Sequence, residues 1–328
     1  VSPIELASLG ARLREAGLTA RALAAWAGTA RIAALPARLA VMPPRPPTPA
    51  GAILALFVAG SEIARDQLRA PPAAPVPEPG LVDALIGHQL VERDGDRLRA
   101  RVAILPIGAA LLVCDRLDAP VERDLVCWPD DSSHHLATAI PPGRRAAWTD
   151  LGCGSAFAPL ARPELATRIS GIDLNERAVR YALLGAGLSG IAHLVASPGD
   201  IGAAQEAADL VTCNAPMPAG PGPLTTQLLD VWRRAEPGFF DRLWPALPRA
   251  VRPGGMIVVH AACEAVVPAL AGAGGERVVV TYTPDGAPGF AVAWWRPDAP
   301  DRFVAAHRAL TPDRPHLEPR DREQVLAR

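Results

Sequence analysis

From residue 146 to residue 296 the chain repeats one pattern, a short apolar β-type segment followed by a helical one. The β segments read as 146–151, 168–173, 191–196, 209–213, 255–261, 276–283 and 289–295. Helices fit at Glu176–Ala186, Leu224–Arg234 and Phe239–Val251. Strands apolar on both faces and separated by helices build a mostly parallel sheet covered on both sides. The last two strands are different, because only Pro284–Gly289 joins them. A parallel crossover needs about a dozen residues, so this pair must be an antiparallel hairpin. The expected fold class is α/β, with a mostly parallel sheet that ends in an antiparallel hairpin.

Ahead of this unit the periodicity is helical. Leu6, Leu9 and Leu13 share one face, and Leu23 and Trp26 share the next. Gly51–Leu68 and Leu81–Gln89 read as further helices, set apart by Pro-rich stretches at 43–49 and 71–79. Leu90–Val102 then places Asp94-Gly95 between two alternating halves, which signals a hairpin. Helices, a short helix and a hairpin follow the order of a winged-helix unit. A plain helical cap with a β-ribbon satisfies the same pattern. Such a unit serves dimerisation or substrate covering as readily as nucleic-acid binding. The expected division is a helical, winged-helix-like part over 1–125, the sheet domain over 126–297, and a charged, Pro-rich peripheral helix or mobile tail over 298–328.

A formal net charge of −1 gives no electrostatic footprint for DNA or RNA. Cysteines stand at 114, 127, 153, 213 and 263, none in a C-x-x-C pair, so neither a disulfide framework nor a zinc site is expected. That usage fits a reducing cytoplasm. The N-terminus lacks a basic stretch followed by an apolar core, so no secretory signal is expected. The apolar run Ala52–Gly60 is far short of the ~20 residues a membrane span needs.

The first strand runs into Asp150-Leu-Gly152-Cys153-Gly154-Ser155. Glycine is required where the backbone takes positive φ or where a ligand leaves no room for a Cβ. A Gly-rich turn at a strand end lies where open α/β sheets bind ligands. Two cofactor classes compete for it. A dinucleotide fingerprint wants G-x-G-x-x-G/A, but Phe157 stands in place of the third small residue. Asp150 lies two residues before the first glycine and would repel a pyrophosphate. A ligand carrying an ammonium and a sulfonium suits it. The second strand ends in Asp173-Leu174-Asn175, about 20 residues downstream, where a carboxylate can accept both hydroxyls of a ribose. The alternative role, capping the next helix, fits Asn175 better. After the third strand comes Gly199-Asp200-Ile201. Asp200 there can accept an exocyclic amine of adenine while Ile201 packs on the ring; a plain turn aspartate is the other reading.

Together these motifs resemble class I S-adenosylmethionine-dependent methyltransferases, over roughly the C-terminal half. The resemblance implies a Rossmann-like methyltransferase sheet. It also implies S-adenosyl-L-methionine as cofactor, held by Asp150, Gly152, Cys153, Gly154, Asp173, Leu174, Asp200, Ile201 and Asn214.

The fourth strand leads into Cys213-Asn214-Ala215-Pro216-Met217-Pro218, which is similar to the N-P-P-Y/F loop of the amino-group methyltransferases acting on glutamine amides and rRNA guanine. That likeness implies that the Asn214 side-chain oxygen and the next carbonyl orient a target NH₂, with Asn214 and Pro216 as the residues that match the catalytic loop. The sequence departs at Ala215 and at Met217, which removes the aromatic ring on which a planar substrate would stack. A plain strand-to-helix loop is the other reading, and Ala219–Pro223 continues it. Upstream, Trp128–Leu136 lies where this family covers the methionine end of the cofactor, and His134 or His135 is a candidate general base. Two adjacent histidines do not have metal-ligand spacing. His260 and Glu264 have no partner that the sequence identifies, and Trp294-Trp295 reads as packing. The implied activity is methyl transfer to a nitrogen of a protein side chain or RNA base. The alternatives are a small-molecule O- or N-methyltransferase and a non-catalytic, cofactor-sensing DNA-binding protein.

Overall fold

The computed structural model describes residues 2–42, 48–68, 80–120, 122, 124–203, 206–218, 235–283, 289–311 and 313–327. The expected helix Leu224–Arg234, the loop Ala219–Pro223, most of the Pro-rich stretches 43–49 and 71–79, and residues 284–288 of the hairpin loop lie outside them.

Helix α1 (Pro3–Glu15) starts at a reciprocal cap, in which Ser2 Oγ accepts from the Glu5 N–H and the Glu5 carboxylate accepts from the Ser2 N–H. Helices α2 (Ala20–Ala27) and α3 (Leu35–Ala40) follow. The expected helix over Gly51–Leu68 is divided. Helix α4 (Pro49–Phe57) stops, Gly60 turns the chain at φ 67°, and strand β1 (Ile63–Ala64) and a 3-10 turn (Arg65–Leu68) occupy the rest. Then come α5 (Leu81–Gly87) and the hairpin β2 (Val91–Asp94) and β3 (Arg97–Ala100). Asp94 pairs with Arg97, so the tight turn is Gly95-Asp96, one residue beyond the expected pair. The strand order is β1-β3-β2, with α4 before β1 and α5 before the hairpin. A second hairpin, β4 (Ala103–Ile107) and β5 (Ala110–Cys114), is buried throughout and shows no alternation for a sequence pattern to find.

The sheet domain begins with α6 (Asp131–Ala139). It continues through β6 (Arg145–Leu151), α7 (Phe157–Ala161), β7 (Ala166–Asp173), α8 (Glu176–Ser189), β8 (Leu194–Pro198) and β9 (Ala208–Asn214). After that come α9 (Phe239–Ala250), β10 (Val251–Ala262), α10 (Cys263–Ala271), β11 (Glu276–Tyr282) and β12 (Phe290–Arg296). All seven expected strands are present; the third, β8, lies two to three residues later than its expected span. With a further strand, β13 (Arg302–His307), the sheet order is β13-β11-β12-β10-β9-β6-β7-β8. Strands β8, β7, β6, β9 and β10 are parallel, and β12 runs antiparallel between β10 and β11. This is the Rossmann-like sheet with a terminal antiparallel hairpin that the strand pattern predicts. Residues 298–328 hold an eighth strand, β13 (Arg302–His307), parallel to β11, and helix α11 (Pro319–Leu326).

The strand order reverses between β6 and β9. Beyond the carboxyl ends of such strands open α/β sheets bind their ligands. One face of the sheet is packed beneath α9 and α10. The other belongs to a continuous apolar cluster that runs from Leu9 and Leu13 through α4 and the β4–β5 hairpin to Trp148, Trp294 and Leu317. Trp294 and Trp295 point into the two faces respectively, with indole N–H groups bonded to the Ala139 and Gly274 carbonyls, so both are packing residues.

Candidate active site

The Gly-rich turn begins where β6 ends. Gly152 and Gly154 have φ of 65° and 52°, the left-handed region that penalises a Cβ. A Cβ at either position would meet no atom within 4 Å. Backbone conformation, and not crowding by the protein, therefore requires glycine there, and the space above the turn is an open cradle. The N–H groups of Gly152 and Cys153 both donate to the Ile172 carbonyl, at 2.8 and 3.0 Å. Cys153 turns its side chain inward, with Sγ only 2.8 Å from where a Cβ on Gly171 would stand, and burial pushes its thiol up.

Asp173 closes the turn from the next strand. Its Oδ2 accepts from the Gly154 N–H and its Oδ1 from the Asn175 N–H, each at 2.8 Å. Asn175, as its sequence position suggests, caps α8 by accepting from the Arg177 N–H. Asp150 lies beneath the turn, accepting from the Thr212 hydroxyl, which in turn accepts from Trp148 Nε1 at 2.7 Å. Burial pushes Asp150 up to about 7; the Thr212 bond opposes the shift and the Asp173 charge adds to it. A buried carboxylate with no cation beside it among the described residues favours a cationic ligand overhead.

Leu174 is 57 % exposed next to Asp173. Asp200 accepts from the Gly202 N–H at 2.6 Å and lies 3.5 Å from Arg242 Nε of α9. Ile201 is packed in the cluster beneath α9, so Leu174 is the apolar side chain that faces outward beside the two acids.

Across the switch point, β9 delivers Asn214. Its Nδ2 donates to Ser132 Oγ at 2.9 Å and to Ser133 Oγ at 3.5 Å, in the first turn of α6. Its Oδ1 is buried and has no hydrogen-bond partner among the described residues. Leaving such an acceptor bare costs about 1–3 kcal/mol, and a ligand N–H removes that cost. The loop then runs through Ala215, whose N–H donates to the His260 carbonyl at 2.8 Å, to Pro216 and Met217. His260 is the register partner of Asn214 on β10. Its Nε2 lies 2.7 Å from the Tyr282 hydroxyl, while its Nδ1 is buried and without a hydrogen-bond partner among the described residues.

The two histidines of α6 diverge. His135 stacks on Tyr282, with ring centroids 4.1 Å apart, and its Nδ1 accepts from the Leu317 N–H. His134 packs its ring against Phe157 and His316. It lines a cavity of about 250 Å³ between α2, the β4–β5 turn, α6 and α7, on which Leu23, Ile32, Ile107 and Phe157 also border. Asn214 bonds Ser132 and Ser133 of the same helix, while the ring contacts of His134 are with Phe157 and His316. Burial lowers His134 and His260 to about 4 each and His135 to about 3, so all three are neutral imidazoles near pH 7. Ser132, Ser133, His260 and Tyr282 join the site without a role read from the sequence. The Asp-Asp-Ser-Ser start of α6 is the signal that marks the two serines, because such residues favour a helix N-terminus.

No protein-family model matches the chain, and no curated protein sequence matches it. Among solved structures the sheet is similar to a predicted O-methyltransferase from Agrobacterium tumefaciens, at 17% identity and a TM-score of 0.41, over 54% of this chain and 85% of that one. It is similar to the M. jannaschii tRNA m1G37 methyltransferase, at 13% identity and TM-score 0.41, over 60% of this chain and 57% of that one. It is also similar to a precorrin-6y C5,15-methyltransferase from Geobacter metallireducens, at 13% identity and TM-score 0.37, over 54% and 92%. The fold assignment itself rests on strand order and direction.

Proposed function

We propose that the chain is an S-adenosylmethionine-dependent methyltransferase that modifies a nitrogen of a protein side chain or an RNA base. The observation that carries the nitrogen acceptor is the bare, buried Oδ1 of Asn214 at the strand-order reversal. An oxygen there accepts an N–H. An acceptor hydroxyl has one proton to offer, whereas an amide or exocyclic amine offers two. When bound, S-adenosylmethionine supplies an electrophilic methyl group on a sulfonium. Asp173 binds the ribose side of the crevice while holding the Gly154 N–H, and Leu174 covers an apolar ring face. Asp150 compensates positive charge from below. Asn214 orients the acceptor nitrogen. Ser132 and Ser133 roof the site and exclude water from it.

A small-molecule acceptor is the second reading. It is favoured by Met217 in place of the aromatic ring and by the closeness of the α6 roof over Asn214. The DNA-binding alternative is disfavoured at the β2–β3 hairpin, where Arg97, Arg99 and Arg101 pair with Glu62, Asp118 and Glu92.

The deciding experiment uses methyl-labelled S-adenosylmethionine with cell extract separated into protein, RNA and small-molecule fractions. Label is expected in protein or RNA. Asn214→Ala is expected to lower transfer by about 100-fold or more with cofactor affinity retained. Label confined to small molecules selects the second reading, and no labelling with a cofactor-binding protein sinks the enzyme reading.

A further inference from the structure

An asparagine amide fits most pockets either way round, and only its hydrogen-bond neighbours decide which end carries the oxygen. At Asn214 two serines flank the same end of the amide; Ser133 Oγ stands 3.5 Å away, at the limit of a hydrogen bond, so the nearer Ser132 and its one proton weigh most. Asp130, the N-cap of α6, uses Oδ1 to accept from the Ser132 N–H at 2.9 Å and from the Ser132 hydroxyl. A serine hydroxyl has a single proton. With that proton committed to Asp130, Ser132 Oγ offers Asn214 lone pairs alone. It can receive the Nδ2–H, as it does at 2.9 Å, but has nothing to give a carbonyl. A reversed amide would set oxygen against oxygen and bury the NH₂ where Oδ1 now stands without a partner.

We propose that Asp130 and Ser132 are positioning residues that lock the Asn214 amide with its oxygen turned toward the acceptor. The consequence for methyl transfer rests on the function proposed above; the lock itself does not. Asp130→Gly isolates it. Glycine is nearly as good an N-cap as aspartate, so α6 keeps its start. With no carboxylate to receive it, the Ser132 proton is free for Asn214, which admits both orientations.

The chain has two asparagines, Asn175 and Asn214. Nitrogen-15 asparagine labelling of the full chain therefore gives two side-chain NH₂ pairs in an NMR spectrum. Asn175, whose Nδ2 donates to the Asp124 carbonyl at 2.9 Å, is the internal reference. The wild type is expected to show one slowly exchanging Asn214 pair. In Asp130→Gly, which leaves the count of asparagines unchanged, that pair should double or broaden. In Ser132→Ala its solvent exchange should rise by about tenfold or more, with the Asn175 pair unmoved, because the best acceptor for Nδ2 is gone. Where labelled methyl transfer is measurable, both variants should lower kcat by about tenfold with cofactor Kd and Tm held, as misorientation predicts. One sharp, equally protected Asn214 pair in all three proteins overturns the lock. Absence of methyl transfer by the wild type, with the NMR pattern as expected, overturns the methyltransferase reading and leaves the lock standing.

Discussion

Asp150 carries the most direct test at the scale of single residues. Its carboxyl, buried under the Gly-rich turn and raised to about 7, is largely protonated at pH 5.5 and ionised at pH 8.5. A cationic ligand favours the ionised form. Binding below pH 7 must then expel a proton, so affinity falls as pH drops, by up to about tenfold per unit, and levels off above 7. Calorimetry at pH 6 in buffers of different ionisation enthalpy should show proton release with S-adenosylmethionine that Asp150→Asn abolishes; equal release in both proteins would remove Asp150 from the site. Asp173 acts by another route. Asp173→Ala strips an acceptor from the Gly154 and Asn175 N–H groups as well as from the ligand. Two charge-assisted bonds at about 1.5–3 kcal/mol each predict cofactor binding weakened by about 100-fold or more. Unchanged affinity by calorimetry would contradict the assignment.

Among the elements, α6 bears on the whole site, and the C-terminal segment holds it in place. Leu317 is completely buried in the main apolar cluster. Its N–H donates to His135 Nδ1 and its carbonyl accepts from the Thr138 hydroxyl, so two successive turns of α6 are tied to it. Behind it, Arg308 and Arg314 pair with the buried Asp321 of α11. Leu317→Ala is expected to cost about 2–5 kcal/mol in denaturant unfolding. Because α6 carries Ser132, activity should fall further than the loss of folded protein explains. Parallel loss of both would make the segment a support for stability alone.

At the scale of the whole molecule, the N-terminal helices and the sheet share one core instead of meeting as separate bodies. Helix α1 lies so close on α8 that a Cβ on Gly10 would stand 1.7 Å from the Leu188 carbonyl oxygen. Arg14 bonds the same carbonyl at 3.2 Å. On an exposed helix, Gly→Ala stabilises by about 1 kcal/mol. Here backbone must move, so Gly10→Ala is expected to destabilise by about 1–3 kcal/mol. A raised Tm in thermal unfolding would show that the two helices are not held at this distance.

The pattern of apolar strands and helices determined the sheet domain, because side-chain period and connection length restrict pairing before any tertiary contact is known. The Gly-rich turn, Asp173 and Asn214 were legible for the same reason: each stands at the carboxyl end of a strand, and the sheet brings those ends together. Strands β4 and β5 were not legible, since a hairpin buried on both faces has no alternation to read. Strand β13 was not legible either, because its half-exposed residues gain their place only from the free edge of β11. The inward turn of Ile201, the packing of His134 on Phe157 and His316, and the partnership of Asn214 with Ser132 and His260 depend on how α6 and α9 lie across the sheet. Those are contacts between residues far apart in the chain, and their geometry is decided by packing, about which local spacing carries no information.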